Sequence, residues 1–217
     1  MLHRFDLIIW DWDGTLANST SLITNAIINA AQDVGLTAPL PNEARNIIGL
    51  SLNVAIHRLF PEINETLASQ LAARYRYHYY ANEAQISLFE GVRDLIRILS
   101  ARKLMLAIAT GKGRRGLNLA LNRSGLHEYF HTTRTVDECA SKPHPQMIEE
   151  IMSELSVLPE RTLMIGDTGF DLQMATNAKV ASIGVSYGAH PREKLESFDP
   201  IAIFDEFSAL KTWMLKD

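Results

Sequence analysis

Phe5-Asp6-Leu7-Ile8-Ile9-Trp10-Asp11-Trp12-Asp13-Gly14-Thr15-Leu16 is the stretch that decides the fold. The apolar run Phe5–Trp10 has the length and density of a strand buried on both faces of a parallel sheet. It ends in two carboxylates two positions apart, Asp11 and Asp13, followed by the turn residue Gly14. A strand that only had to stop would use Asn, Gly or a single Asp. Two like charges this close need a cation or a shared proton to coexist. The end of this strand therefore predicts a site for metal-assisted chemistry.

Downstream, Ser19 to Val34 carries Leu22, Ile23, Ala26, Ile27, Ala30 and Ala31 at helical spacing, with Ser19 as the expected N-cap and Gly35 as the stop. Short helices are predicted over Asn42–Ile48 and Ser51–Phe60, parted by Gly49, and a longer one over Asn64–Ala84. Another helix opens at Gly91-Val92 and runs to Ala101. From Leu104 the pattern changes. Strands at Leu104–Thr110, Thr162–Ile165, Val180–Val185 and Ile201–Phe204 alternate with helices at Gly113–Ser124, Pro145–Leu155, Gly169–Ala178 and Glu206–Leu215. The reading is an α/β fold, a doubly wound parallel sheet with an inserted all-helical cap. The core takes residues 1–16 and 89–217, and the insertion takes 17–88.

Composition narrows the functions. The 217 residues are 47% hydrophobic and 21% charged with a net charge of −4, ordinary for a globular protein and without a basic field to attract nucleic acid. No apolar run approaches the ~20 residues of a membrane span. The N-terminus lacks a signal peptide's apolar stretch, and Cys139 is the single cysteine, so a cytoplasmic protein, monomer or homodimer, is expected.

Ligands of open parallel sheets sit beyond the carboxyl ends of the strands. Asp11 and Asp13, Thr110-Gly111-Lys112, Lys142 before Pro143, and Gly166-Asp167-Thr168-Gly169-Phe170-Asp171 all fall there. Asp11, Asp13 and Asp167 offer hard oxygen ligands for Mg2+. Asp171 lies one turn further on, within reach of a metal-bound water or of Lys142. One carboxylate can attack phosphorus, a second can shuttle the proton, and Thr110 and Lys142 can offset charge on the transferring group. Taken singly, Asp167 and Thr168 read as a helix cap, Thr110-Gly111 as a turn and Lys142 as a solvated loop residue. Their coincidence with the Asp pair carries the reading.

With Asp-x-Asp-Gly-Thr-Leu, the Thr and Lys motifs and Gly-Asp-Thr-x-x-Asp in this order, the chain resembles a haloacid dehalogenase superfamily phosphatase of the helical-cap, phosphoglycolate phosphatase-like subfamily. The resemblance implies that Asp11 is nucleophile and Mg2+ ligand, and that Asp13 is acid/base with its carbonyl on the metal. It further implies that Thr110 and Gly111 hold phosphoryl oxygens, Lys142 stabilises both partners, Asp167 completes the metal site and Asp171 supports it. The substrate it implies is a small phosphorylated metabolite, with phosphoglycolate as the first guess. Lys112 and Arg45, with Ser51 and Asn53, are candidates for holding the substrate's anionic end. Within the superfamily, Asp13 argues against dehalogenases and phosphonatases, which lack a carboxylate there. Ile23 stands where β-phosphoglucomutases have a hinge histidine, which disfavours a mutase, and Asn18 replaces a common Asp. Two rivals stay open, a phosphosugar mutase and an idle binding or regulatory protein on the same fold. An idle site has no reason to keep repulsive charges.

Two further motifs are decoys. His127-Glu128-Tyr129-Phe130-His131 has the H-E-x-x-H zinc pattern but lies between Gly125 and Thr132-Thr133, where a loop into a short strand is expected instead of a helix. Gly184-Val185-Ser186-Tyr187-Gly188 has the G-x-S-x-G pattern, but its only later histidine, His190, precedes Asp199 and Asp205, and Pro191 interrupts the helix an elbow needs. The aromatic-basic run Arg74–Tyr80 reads as a half-buried helix, with Tyr75 and Tyr79 on one face.

Overall fold

Strand β1 (Leu7–Trp10) is buried along its whole length in a computed structural model that describes residues 2–216. It pairs in parallel on one side with β2 (Met105–Thr110) and on the other with β4 (Thr162–Gly166). With β3 (Thr132–Thr135), β5 (Ala181–Val185) and β6 (Ala202–Phe204) it forms a parallel sheet in the order β3-β2-β1-β4-β5-β6. The order reverses at β1, the place where doubly wound sheets open a crevice beyond the strand ends.

Successive strand residues point to opposite faces, and both faces are covered. Ile8, Trp10, Leu106, Ile108, Leu163 and Ile165 pack with residues of α5 (Val92–Ala101), α6 (Arg114–Ser124) and α10 (Phe207–Leu215). Leu7, Ile9, Ala107, Ala109 and Met164 pack with α7 (Gln146–Leu155) and α8 (Gly169–Asn177). The doubly wound α/β reading holds. Strand β1 begins two residues later than expected. The Asp6 amide still bonds to the Arg161 carbonyl at 2.8 Å while its carboxylate pairs with the Arg161 guanidinium.

Between β1 and α5 the chain forms α1 (Thr20–Asp33), α2 (Pro41–Asn46), α3 (Leu52–Leu59) and α4 (Glu65–Asn82). These helices share an apolar cluster of their own, built on Ile27, Ala30, Ala31, Ala44, Ile56 and Leu71. The segments entering and leaving them run side by side. The Asn18 amide donates to the Ser87 carbonyl at 2.9 Å and the Phe89 amide to Leu16 at 3.0 Å. Helix α4 splits its aromatic-basic run as expected: Tyr75 stacks on Tyr79 at 5.9 Å, while the Arg74 guanidinium covers Tyr77 at 4.5 Å.

Three local expectations are corrected. Ser19 precedes α1 but its hydroxyl does not cap it; the hydroxyl donates to Asp13 Oδ1 at 2.7 Å, a buried carboxylate outcompeting a backbone amide. The H-E-x-x-H segment holds a 3-10 turn at His127–Tyr129 where an irregular loop was expected. A short helix, α9 (Arg192–Glu196), follows Pro191 in a region with no predicted element. No helix among the described residues is long and apolar enough to cross a membrane.

Ile108 is fully buried between β1 and β3. Ile108→Ala should cost about 2–5 kcal/mol, read as a lower urea midpoint with an unchanged slope.

Candidate active site

The first carboxylate continues β1. The Asp11 amide donates to the Ile165 carbonyl at 2.9 Å, so the ladder carries Asp11 to the sheet rim. The next residues turn back sharply, with the Trp12 carbonyl accepting the Leu16 and Ala17 amides at 3.0 and 2.9 Å. Gly14 makes the turn at φ +84°, and a Cβ there would overlap the Asp167 carboxylate. The turn aims Asp13 away from Asp11. Asp13 Oδ1 accepts from Ser19, and Lys112 Nζ reaches Oδ2 at 2.9 Å.

Asp11 is held differently. It is 1% exposed, and neither carboxylate oxygen has a well-aligned hydrogen-bond donor. Its one counterion is the Lys142 ammonium at 2.8 Å. Lys142 Nζ also lies 2.5 Å from Asp171 Oδ1, itself buried at the start of α8. Asp171 Oδ2 accepts the Thr168 amide and hydroxyl at 3.0 and 2.7 Å, closing a capping box. Asp167 completes the group, taking the Thr15 hydroxyl at 3.0 Å and the Ala189 amide at 2.6 Å.

Ligating oxygens of Asp11, Asp167 and Asp171 lie within 4.8 Å of one another, all buried. One ammonium faces them, so with all three ionised the cluster is short of positive charge. Burial, helped by Asp171 and Asp13, lifts the Asp11 carboxyl to about 7 against the pull of Lys142. Burial, then Asp11 and Asp171, raises Asp167 well above the carboxylate range. Burial alone would weaken the Lys142 ammonium, but Asp11 and Asp171 more than reverse this and raise it. The Asp11 oxygens, which lack a well-aligned hydrogen-bond donor, and the charge deficit suit a hard divalent cation. Asp167 and Asp171 each have both oxygens bonded, which leaves Asp11 as the freest donor.

A cavity of about 610 Å3 opens onto Asp11, Asp13, Thr110, Gly111 and Lys112. The Thr110 hydroxyl accepts the Lys112 amide at 3.2 Å. A Cβ on Gly111 would overlap the Gly49 carbonyl, so the loop between α2 and α3 sits directly on the loop after β2. Lys112, expected to grip an anion, is engaged by Asp13 and by the Tyr79 hydroxyl at 2.7 Å. Arg45 does not line the cavity; its guanidinium bonds the Gly188 carbonyl and tethers α2 to the loop after β5. Ser51 and Asn53 do line it.

The family model for haloacid dehalogenase-like hydrolases matches residues 8–185, spanning both the sheet and the helical segment. The chain belongs to this family. It is an enzyme, a phosphatase-like member of the haloacid dehalogenase superfamily. It is 34% identical to the protein named Probable phosphatase IndB of Dickeya dadantii, over 93% of this chain and 90% of that protein. It is 27% identical to the pyrophosphatase PpaX of Bacillus cereus, over 95% of each. A crystal structure described as a predicted phosphoglycolate phosphatase from Haemophilus somnus superposes with a TM-score of 0.87 at 25% identity, covering 97% of this chain and 98% of that one.

Within this haloacid dehalogenase-like site, sequence reasoning missed Thr15, Ser19, Tyr79 and the Gly188-Ala189 backbone. Thr15 carried a signal, its place in Asp-x-Asp-Gly-Thr-Leu; the others meet the site only through tertiary packing. The decoys dissolve. His131 Nδ1 accepts the Leu106 amide at 3.3 Å, and no zinc-type cluster forms there among the described residues. The Ser186 hydroxyl donates to the Asp205 carboxylate. His190 is committed elsewhere, with Nδ1 accepting the Gly169 amide at 2.9 Å and Nε2 facing the Asn46 carbonyl at 3.1 Å.

Burial pushes His190 from 6.5 down to about 4. The unfolded chain then takes the proton first. The stability given by the neutral ring is full above about pH 6.5 and is lost as pH falls through about 4. An NMR titration should place His190 near 4, with the amides of Gly169 and Ile47 shifting together. Gly14→Ala, strained in backbone and pressed on Asp167, should lower the melting temperature and displace the Asp167 carboxylate, checked by thermal unfolding and a crystal structure.

Proposed function

We propose that the protein is a Mg2+-dependent phosphomonoesterase that passes the phosphoryl group of a small phosphorylated metabolite to Asp11 and then to water. The observation that carries this reading is the contrast between two aspartates two residues apart. Both line the cavity, but Asp11 sits in the carboxylate cluster against the Lys142 ammonium with no well-aligned hydrogen-bond donor, while Asp13 is held by the Ser19 hydroxyl and the Lys112 ammonium. The first suits a nucleophile, the second a proton carrier.

An Asp11 oxygen attacks phosphorus, the bond from phosphorus to the ester oxygen breaks, and Asp13 delivers a proton to the departing oxygen. Asp13 then takes a proton from water as water attacks the phospho-Asp11 and frees phosphate. Ser19 keeps Asp13 in place by donating to its Oδ1. Thr110 and the Gly111 amide hold the phosphoryl oxygens, and Lys142 offsets their charge. Asp11 and Asp167, with the Asp13 carbonyl, would hold Mg2+, and Asp171 positions Lys142. When bound, the cation neutralises phosphoryl oxygens and lets Asp11 and Asp167 ionise together.

Residues 17–88 act as a cap hinged on the paired segments at 16–18 and 87–89, and its closure keeps water from the first transfer. The lone Cys139, a buried free thiol, fits a cytoplasmic setting. Phosphoglycolate and pyrophosphate enter as substrates through the names of relatives.

Phosphate release should require Mg2+ and fall by at least about a thousandfold in Asp11→Asn. Undiminished turnover in that variant overturns the covalent route. No release from any of a broad panel of phosphate esters, with folded protein and Mg2+, overturns the phosphatase reading.

A further inference from the structure

The wall of the cavity facing the carboxylates is larger and more apolar than a two-carbon acid needs. At about 610 Å3 the space is in the range that encloses a drug-sized molecule. Ile23, Ile27, Ile47, Ile48 and Leu50, all buried, line it from the helical segment. Helix α4 supplies an aromatic side. Tyr75 stacks on Tyr79, and Tyr80 meets Tyr79 edge-on at 5.6 Å.

The cations are poorly placed for a short dianion. Lys112, next to the reacting carboxylates, is already neutralised by Asp13 and capped by Tyr79. Arg45 is spent on the Gly188 carbonyl, and Arg58 lies over Phe170 at 5.2 Å. The guanidinium groups that do line the cavity, Arg76 and Arg115, are exposed at its rim, Arg115 beside Tyr80 at 6.0 Å. A carboxylate three bonds from phosphorus, or a second phosphate, would lie among isoleucines or beside the Asp13 charge. A flat ring would cover the isoleucines, stack on tyrosine and present its polar edge to Arg76 and Arg115.

Resting on the phosphatase reading above, we infer that the site is built for a phosphate monoester whose leaving group carries an aromatic ring, an aryl or nucleoside monophosphate. The ring lies between α4 and the isoleucine wall.

The test is a comparison of kcat/KM, by phosphate release from the full chain with Mg2+, among phenyl phosphate, adenosine 5′-monophosphate, ribose 5-phosphate, phosphoglycolate and pyrophosphate. At least one ring-bearing ester should exceed ribose 5-phosphate and phosphoglycolate by about tenfold or more, chiefly through KM. Tyr80 is 43% exposed, so Tyr80→Ala should fold normally, which circular dichroism checks. In that variant the advantage of the ring-bearing ester over ribose 5-phosphate should shrink several-fold. Highest kcat/KM on phosphoglycolate or pyrophosphate, or an unchanged preference in Tyr80→Ala, overturns this inference and leaves the phosphatase reading standing. Release from none of the five, followed by none from the wider panel, removes both.

Discussion

The ammonium of Lys142, buried between Asp11 and Asp171 with Asp167 alongside, is the interaction on which the rest of the structure depends. Three carboxylates and one ammonium cannot be desolvated together cheaply, and deleting one member of such a cluster leaves an uncompensated charge. The fold meets this cost with geometry. Asp11 comes from the end of β1, Asp167 from the end of β4, Asp171 from the first turn of α8 and Lys142 from the loop before α7. Positions so far apart in sequence converge only because β1 is central and its parallel neighbours end at the same rim. The dry, two-sided packing of that sheet keeps water away and so gives the cluster its raised carboxyl groups.

A second constraint follows from where the helical segment rests. Gly111 admits the Gly49 carbonyl so closely that no side chain fits between them. The same loop of the sheet sends Lys112 to Asp13 and to the Tyr79 hydroxyl. Helix α4 is thereby tied, through one lysine, to the carboxylate that the proposed mechanism uses for proton transfer. Any outward swing of the helices on the paired segments at 16–18 and 87–89 must break or stretch that tie. Seating of the helices and placement of Asp13 are thus mechanically coupled.

The elements legible in the sequence are those whose pattern is local. The apolar runs of β1, β2 and β4 and the helical periodicity of α1 and α5 follow from burial repeating every second residue or every three to four. Asp11 and Asp13 stood out because like charges at a strand end have no local excuse. Tyr79 and Ser19 did not, because a tyrosine on a helix face and a serine before a helix each have an ordinary local reading. Only the folded chain brings Ser19 to Asp13. Arg45 shows the converse error, since a basic residue near a candidate cleft met a backbone carbonyl instead of an anion. Helix α9 is too short to show a period, and Pro191 hides its start.

Two aspartates of one strand end reach different environments because the chain changes conformation between them. Asp11 is still extended and bonded into the sheet, so its side chain points into the dry cluster. Trp12 begins the turn, and Gly14 with positive φ completes it, which moves Asp13 out of the cluster and against Ser19 and Lys112. A continued strand would carry both side chains to the same face at a separation where one proton must be shared, as in a coupled dyad. A turn one residue earlier would take Asp11 off the ladder and away from Lys142. The spacing of the pair and the glycine that follows it therefore do one job together. They let two identical carboxylates two residues apart keep different counterions, which is what a nucleophile and a proton carrier in one site require.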